Sequence, residues 1–109
     1  ALMEEGLAGK VMVTGQDAEL VACQRIVNGT QAMTVYKPLK RLATTAAEVA
    51  ARIASRGIVV AKQTVNNGKV DVPSVLGEVI AVDRTNMRQT VVADGFQSEA
   101  EVYRGVEAH

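Results

Sequence analysis

Aromatic residues are nearly missing from this sequence: Tyr36, Phe96 and Tyr103 are the three, and there is no tryptophan. A surface that stacks successive bases, or a cage that holds an organic cation, needs several rings. A site of that kind built from this chain alone is not expected. A single cysteine, Cys23, rules out an internal disulfide and leaves the redox compartment undecided. The one histidine, His109, is the last residue, far from any carboxylate pair, and reads as a chain end or tag remnant rather than a base. No apolar run approaches the roughly 20 residues that span a bilayer, and no charged-then-apolar leader opens the chain. Twelve Lys and Arg balance twelve Asp and Glu, so charge makes no case for nucleic acid or an anionic membrane. Phosphate loop, metal-ligand cluster and nucleophile elbow are all missing. No cofactor is expected, and nothing argues for an enzyme.

What remains is 109 residues, 48% apolar and 22% charged, which suits one globular domain. "ALMEEGLAGK" reads as the end of a helix, with Gly6 and Gly9 as its stop. Val11 to Thr14 suits a strand, and Ala18 to Asn28 has helical periodicity through Leu20, Cys23 or Gln24, and Val27. Gln31 to Lys37 is a β-branched and aromatic run that suits a second strand. A long apolar stripe then follows Pro38 through Leu39, Leu42, Ala46, Val49, Ala50 and Ile53. That alternation predicts an α/β fold, a parallel sheet with crossover helices. After Gly57 the texture changes. Asn67-Gly68 between two β-like runs predicts a hairpin, Leu76 to Val82 a further strand, and Asn86 to Val92 a short helix. Cys23 is expected to pack inside its helix, and Asn28-Gly29-Thr30 to mark that helix's end rather than a glycosylation site.

Two charged residues stand at equivalent places. Asp17 in "GQDA" and Lys37 in "VYKP" each follow a strand and precede a helix, and that edge of an open parallel sheet is where ligands bind. A carboxylate accepts hydrogen bonds and an ammonium donates up to three, a combination that suits a neutral polyhydroxylated molecule. Position alone favours a plainer explanation: Asp17 caps the helix that follows, and Lys37 snorkels to solvent.

The string "GQDAELVACQRIVNGTQAMTVYKPLKRLATTAAEVA", with "NNGKVDVPS" and "VVADGFQSEAEVY", resembles the C-terminal part of the bacterial D-xylose-binding proteins. These are sugar receptors of ABC importers with the periplasmic-binding-protein type I fold, and the similarity runs from "GLAGKV" to about Tyr103. The resemblance implies that Asp17 and Lys37 hydrogen-bond the hydroxyls of a monosaccharide, D-xylose, and that Gln16 lines the same rim. It implies part of a C-terminal lobe over 1–82. It also implies a final crossover near Val79 to Asp83 that returns the tail, 83–109, to an N-terminal lobe outside this chain.

The tail's Val91, Val92, Phe96, Val102 and Tyr103 would then lack a surface within the chain. The expected partners are xylose and an ABC permease in the longer family members, with no nucleic acid, and a periplasmic or cell-surface setting. An open sheet edge or the tail would favour a homodimer. Two rival readings share the fold: a sensing module of a regulator or a sensor-kinase partner, and an oligomeric scaffold that binds no sugar.

Overall fold

A computed structural model describes residues 1–106. Five strands and three α-helices follow one another: β1 (Thr14–Gln16), α1 (Leu20–Val27), β2 (Met33–Tyr36), α2 (Leu39–Ala54), β3 (Gln63–Asn66), β4 (Asp71–Ser74), β5 (Ile80–Val82) and α3 (Glu99–Val102), with a π-helical turn at Arg88–Val92 before α3. The chain forms two compact units, Ala1–Lys37 with the chain from Val79 on, and Pro38–Glu78.

In the first unit the sheet order is β1-β2-β5. β1 and β2 are parallel, with Thr14 opposite Met33 and Gln16 opposite Val35, as a strand-helix-strand crossover requires. The expected strand at Val11 to Thr14 therefore lies further along: its first bond to the neighbouring strand is at Val13, whose carbonyl accepts from the Ala32 amide at 2.8 Å. β5 adds a strand of the opposite direction: it runs antiparallel to β2, Tyr36 opposite Ile80 and Thr34 opposite Val82. The chain thus leaves the sheet after Tyr36 and re-enters it beside Tyr36. Residues 38–78 are an excursion that begins and ends at one sheet edge.

α1 ends as the sequence predicts. Gly29 takes φ 83°, its amide donates to the Ile26 carbonyl at 3.1 Å, and the Thr30 amide reaches back to Arg25 at 2.9 Å. This is the double closure of a helix on a left-handed residue. Its inner face supplies Cys23, Ile26 and Val27 to a core that also holds Ala18, Tyr36, Val82, Met87, Val91 and Val102.

Met87, Val91 and Val102 come from the tail, and all three are fully buried. The expectation that this tail lacks a surface within the chain is thereby corrected. The tail covers α1 and β2, with Gln24 Nε2 donating to the Glu101 carbonyl at 2.9 Å and the Phe96 ring 5.3 Å from that of Tyr36. Arg88 closes it on the outside, pairing with Glu99 and lying 4.2 Å over the Tyr103 ring. The helix expected over Asn86 to Val92 is the π turn. α3, not foreseen, has the serine and glutamate of a capping box: the Glu101 amide donates to Ser98 Oγ, which donates to Glu101 Oε2.

The second unit holds α2 and the β3-β4 hairpin. The hairpin carries the foreseen Asn-Gly turn, as a four-residue loop whose Asn67 Oδ1 accepts from the Lys69 and Val70 amides. Pro73, which has no N–H to give, sits on a two-stranded ladder opposite Thr64. No residue of α2 is buried, although the sequence predicts an apolar stripe along it. Leu39, Leu42 and Ile53 remain exposed.

Met87→Ala removes a fully buried side chain from the core and is expected to lower unfolding stability by about 2–5 kcal/mol. Leu39→Ala, on the exposed stripe, should change it by about 0.5 kcal/mol or less. Urea denaturation of the two variants checks the contrast, and equal losses would contradict the placement of the core.

Candidate functional site

The parallel ladder carries β1 and β2 to the same edge, and the residues just past their ends are Asp17 and Lys37. The Asp17 amide extends the ladder by one bond, donating to the Val35 carbonyl at 2.7 Å. At that point the backbone turns sharply, with φ 82° at Asp17 and φ 49° at Ala18. Neither residue is glycine, and a left-handed conformation costs an L-residue about 1–2 kcal/mol.

Four hydrogen bonds offset that strain. Besides the Asp17 amide, the Ala18 amide donates to Thr34 Oγ1 at 3.3 Å. The Ala18 carbonyl accepts from the Cys23 thiol at 3.4 Å and from Gln97 Nε2 at 3.2 Å. At about 0.5–1.5 kcal/mol net for each well-formed bond, together they can hold the turn. Burial raises the thiol pKa of Cys23, so the sulfur stays protonated and keeps its role as a donor.

The turn aims Asp17 at Lys37. Lys37 Nζ lies 2.8 Å from Asp17 Oδ1, with both side chains about half exposed at 41% and 58%. Capping does not explain Asp17. α1 starts three residues later with Glu19 before it, and no side chain caps its first turn. Lys37 likewise delivers its head to a partner instead of only to water. An exposed pair of this kind contributes at most about 1 kcal/mol to stability, so fold stability does not account for its placement. Gln16, the last residue of β1, is exposed on the same rim, and its side chain makes no hydrogen bond among the described residues.

Tyr36 fixes the end of β2 from the opposite side. Its ring is 3% exposed, and its hydroxyl donates to Asp94 Oδ2 at 3.0 Å. Alternation along the strand turns Tyr36 into the core and leaves Lys37 on the outer side. Sequence reasoning finds Asp17 and Lys37 but misses this support from Thr34, Tyr36, Asp94 and Gln97, the last of which is 79 residues from the Ala18 carbonyl it holds. Only the Ser98–Glu101 capping box signals that an ordered element, rather than a loose tail, follows Gln97. His109 lies outside the described residues. Among those described, no group of His, Cys, Asp and Glu could hold a metal ion, and no helix is long and apolar enough to cross a membrane.

Residues 1–58, over half of the chain, match the family described as "Periplasmic binding protein domain". The chain is 48% identical over 103 residues to the D-xylose-binding periplasmic protein of Haemophilus influenzae, and 49% over 102 residues to that of Escherichia coli. In each case 94% of this chain is matched and 31% of the relative, so the chain spans about a third of their length. Among solved structures it resembles a carbohydrate transporter solute binding protein from Chloroflexus aurantiacus in complex with D-glucose. That likeness has a TM-score of 0.76 and 38% identity, over 83% of this chain and 26% of the other.

Glycine accepts a left-handed conformation without the penalty that alanine meets there. Asp17→Gly is accordingly expected to be more stable than Asp17→Ala by about 1 kcal/mol. Parallel denaturation curves measure the difference, and an alanine variant as stable as the glycine one would show that the turn is not strained.

Proposed function

The chain belongs to the periplasmic binding protein family, and from that premise we propose that it is part of a two-lobed receptor for a monosaccharide, D-xylose, which hands its sugar to an ABC importer. The observation that carries the reading is the Asp17–Lys37 pair, held 2.8 Å apart at the carboxyl edge of two parallel strands without a capping role. Lys37 uses one of its three protons on Asp17 Oδ1, leaving two donors beside the acceptor Oδ2 of Asp17. Adjacent sugar hydroxyls each donate and accept, so one pair of them matches that set. The two charges cancel, which suits a neutral ligand over an anionic one. The side-chain amide of Gln16 offers one more donor and acceptor on the rim.

A pentose gains little from an open half-site, because its hydroxyls stay hydrated there. Closure of a second lobe over the edge removes that water, and the closed form is what a permease would distinguish from the open one. The part of this chain that contributes to the second lobe is 38–78 rather than the 83–109 suggested by sequence. Its excursion starts and ends at the ligand edge, and α2 leaves its apolar stripe uncovered, whereas the tail packs on α1. The relatives' setting supports a periplasmic location.

In the two-lobed receptor carrying this segment, Asp17→Ala and Lys37→Met should each weaken xylose binding by about 1–3 kcal/mol, the cost of leaving polar groups unpaired in a closed cleft. Calorimetry measures it, and unchanged affinity in both variants would remove the sugar assignment. The outer side of β1 is unpaired among the described residues, and such an edge accepts a further strand. The 109-residue chain by itself is therefore expected to form a homodimer through β1. Light scattering at micromolar concentration gives the stoichiometry, and a monomer mass would contradict the edge pairing.

A further inference from the structure

Gln97 makes no hydrogen bond to Asp17 or Lys37, yet it reaches the backbone of the turn between Asp17 and α1. Its side-chain amide nitrogen lies 3.2 Å from the carbonyl of Ala18, from 79 residues away in the chain. That carbonyl belongs to the second of two consecutive left-handed residues, and Asp17 is the first. Ala18 is fully buried, so water cannot replace a lost donor easily. Cys23, the other donor to the same oxygen, is on α1 and provides only a weak thiol hydrogen bond at 3.4 Å. Gln97 is thus the stronger of the two groups that hold the Ala18 carbonyl. It sits between the π turn, anchored by buried Val91, and α3, anchored by buried Val102.

We propose that Gln97 is a positioning residue for ligand binding: by holding the Ala18 carbonyl it keeps the left-handed turn that aims Asp17 at Lys37. The proposal rests on the reading of Asp17 as a sugar ligand and adds to it a role for the C-terminal segment. Gln97 touches neither the sugar nor Lys37. It acts through the backbone, and its effect exists only while Asp17 has a carboxylate to aim. The segment that closes the core over α1 is in this way also the segment that sets the geometry of the ligand edge.

The test is a double-mutant cycle in the two-lobed receptor, read by xylose calorimetry, with denaturation of every variant. Gln97→Met keeps the length of the side chain and removes the donor. It is expected to weaken xylose binding roughly three- to tenfold when Asp17 is present, the worth of one hydrogen bond. In the Asp17→Ala background the same change should alter binding by under about twofold, the limit of additivity for uncoupled sites. A merely structural role would lower affinity equally in both backgrounds, and that result, or no loss in the Asp17 protein, overturns the positioning role. If Asp17→Ala alone leaves affinity intact, it is the sugar reading that fails. Resonances of Asp17 and Lys37 in the 109-residue chain then decide the matter: shifts on Gln97→Met support the aiming of Asp17, and unmoved resonances overturn it.

Discussion

The Asp17 amide donates to the Val35 carbonyl at 2.7 Å, one step past the last pair of the parallel ladder. That bond ties the end of β1 to β2 at the point where β1 stops being a strand. It brings Asp17 level with Tyr36 and thereby beside Lys37, and the turn that follows has to take left-handed angles to enter α1. Shifting the register by one residue would reverse the faces of the strand and send Tyr36 outward and Lys37 into the core. Burial of Tyr36 on the tail prevents that slip. The polar edge and the apolar core are therefore two consequences of one register.

The two units differ in how far they satisfy themselves. The first encloses nine apolar residues drawn from α1, from the strands and their ends, and from the tail. The second has a 16-residue helix with no buried residue and a two-stranded hairpin. Helices of about that length are marginal alone in water, and isolated two-stranded hairpins are no better. Composition alone does not explain the contrast, because α2 has a well-marked apolar stripe. The size of the second unit accounts for it better: between Lys37 and β5 the chain has one helix and one hairpin, too little to bury that stripe within the unit.

Local chemistry was readable in advance wherever one residue type forces one geometry. Gly29 ends α1, Asn67-Gly68 turns the hairpin, and Pro38 with the residue before it ends β2, each for steric reasons acting over a few residues. Asp17 and Lys37 could be singled out because each follows a β-like run and precedes a helical one. The antiparallel direction of β5 could not be read, since it depends on which sheet edge the chain returns to after 43 residues between strands β2 and β5. What covers the tail is hidden from the sequence for a related reason. Val91, Phe96 and Val102 announce that the segment must be covered but do not say by what, and the answer lies in α1 on the far side of the sequence. The support of the Ala18 peptide groups is equally hidden, because Thr34, which accepts from the amide, and Cys23 and Gln97, which donate to the carbonyl, carry no periodic signal linking them.

In the proposed reading, the weakness of the exposed Asp17–Lys37 ion pair is what would make it useful to a ligand. A buried, fully paired bridge would have to be broken before either group could bind a hydroxyl, at a cost of several kcal/mol. Here the pair is worth at most about 1 kcal/mol, and its positions are set by other forces: the ladder for Lys37, the strained turn and its hydrogen bonds for Asp17. The groups are already oriented when a ligand arrives, so little ordering entropy is lost on binding. What the open edge lacks is exclusion of water. Were a second lobe to close over the edge as proposed, the local dielectric would fall and the same hydrogen bonds would strengthen without any movement of Asp17 or Lys37. Orientation thus comes from the backbone of the first unit, and strength comes from whatever covers it.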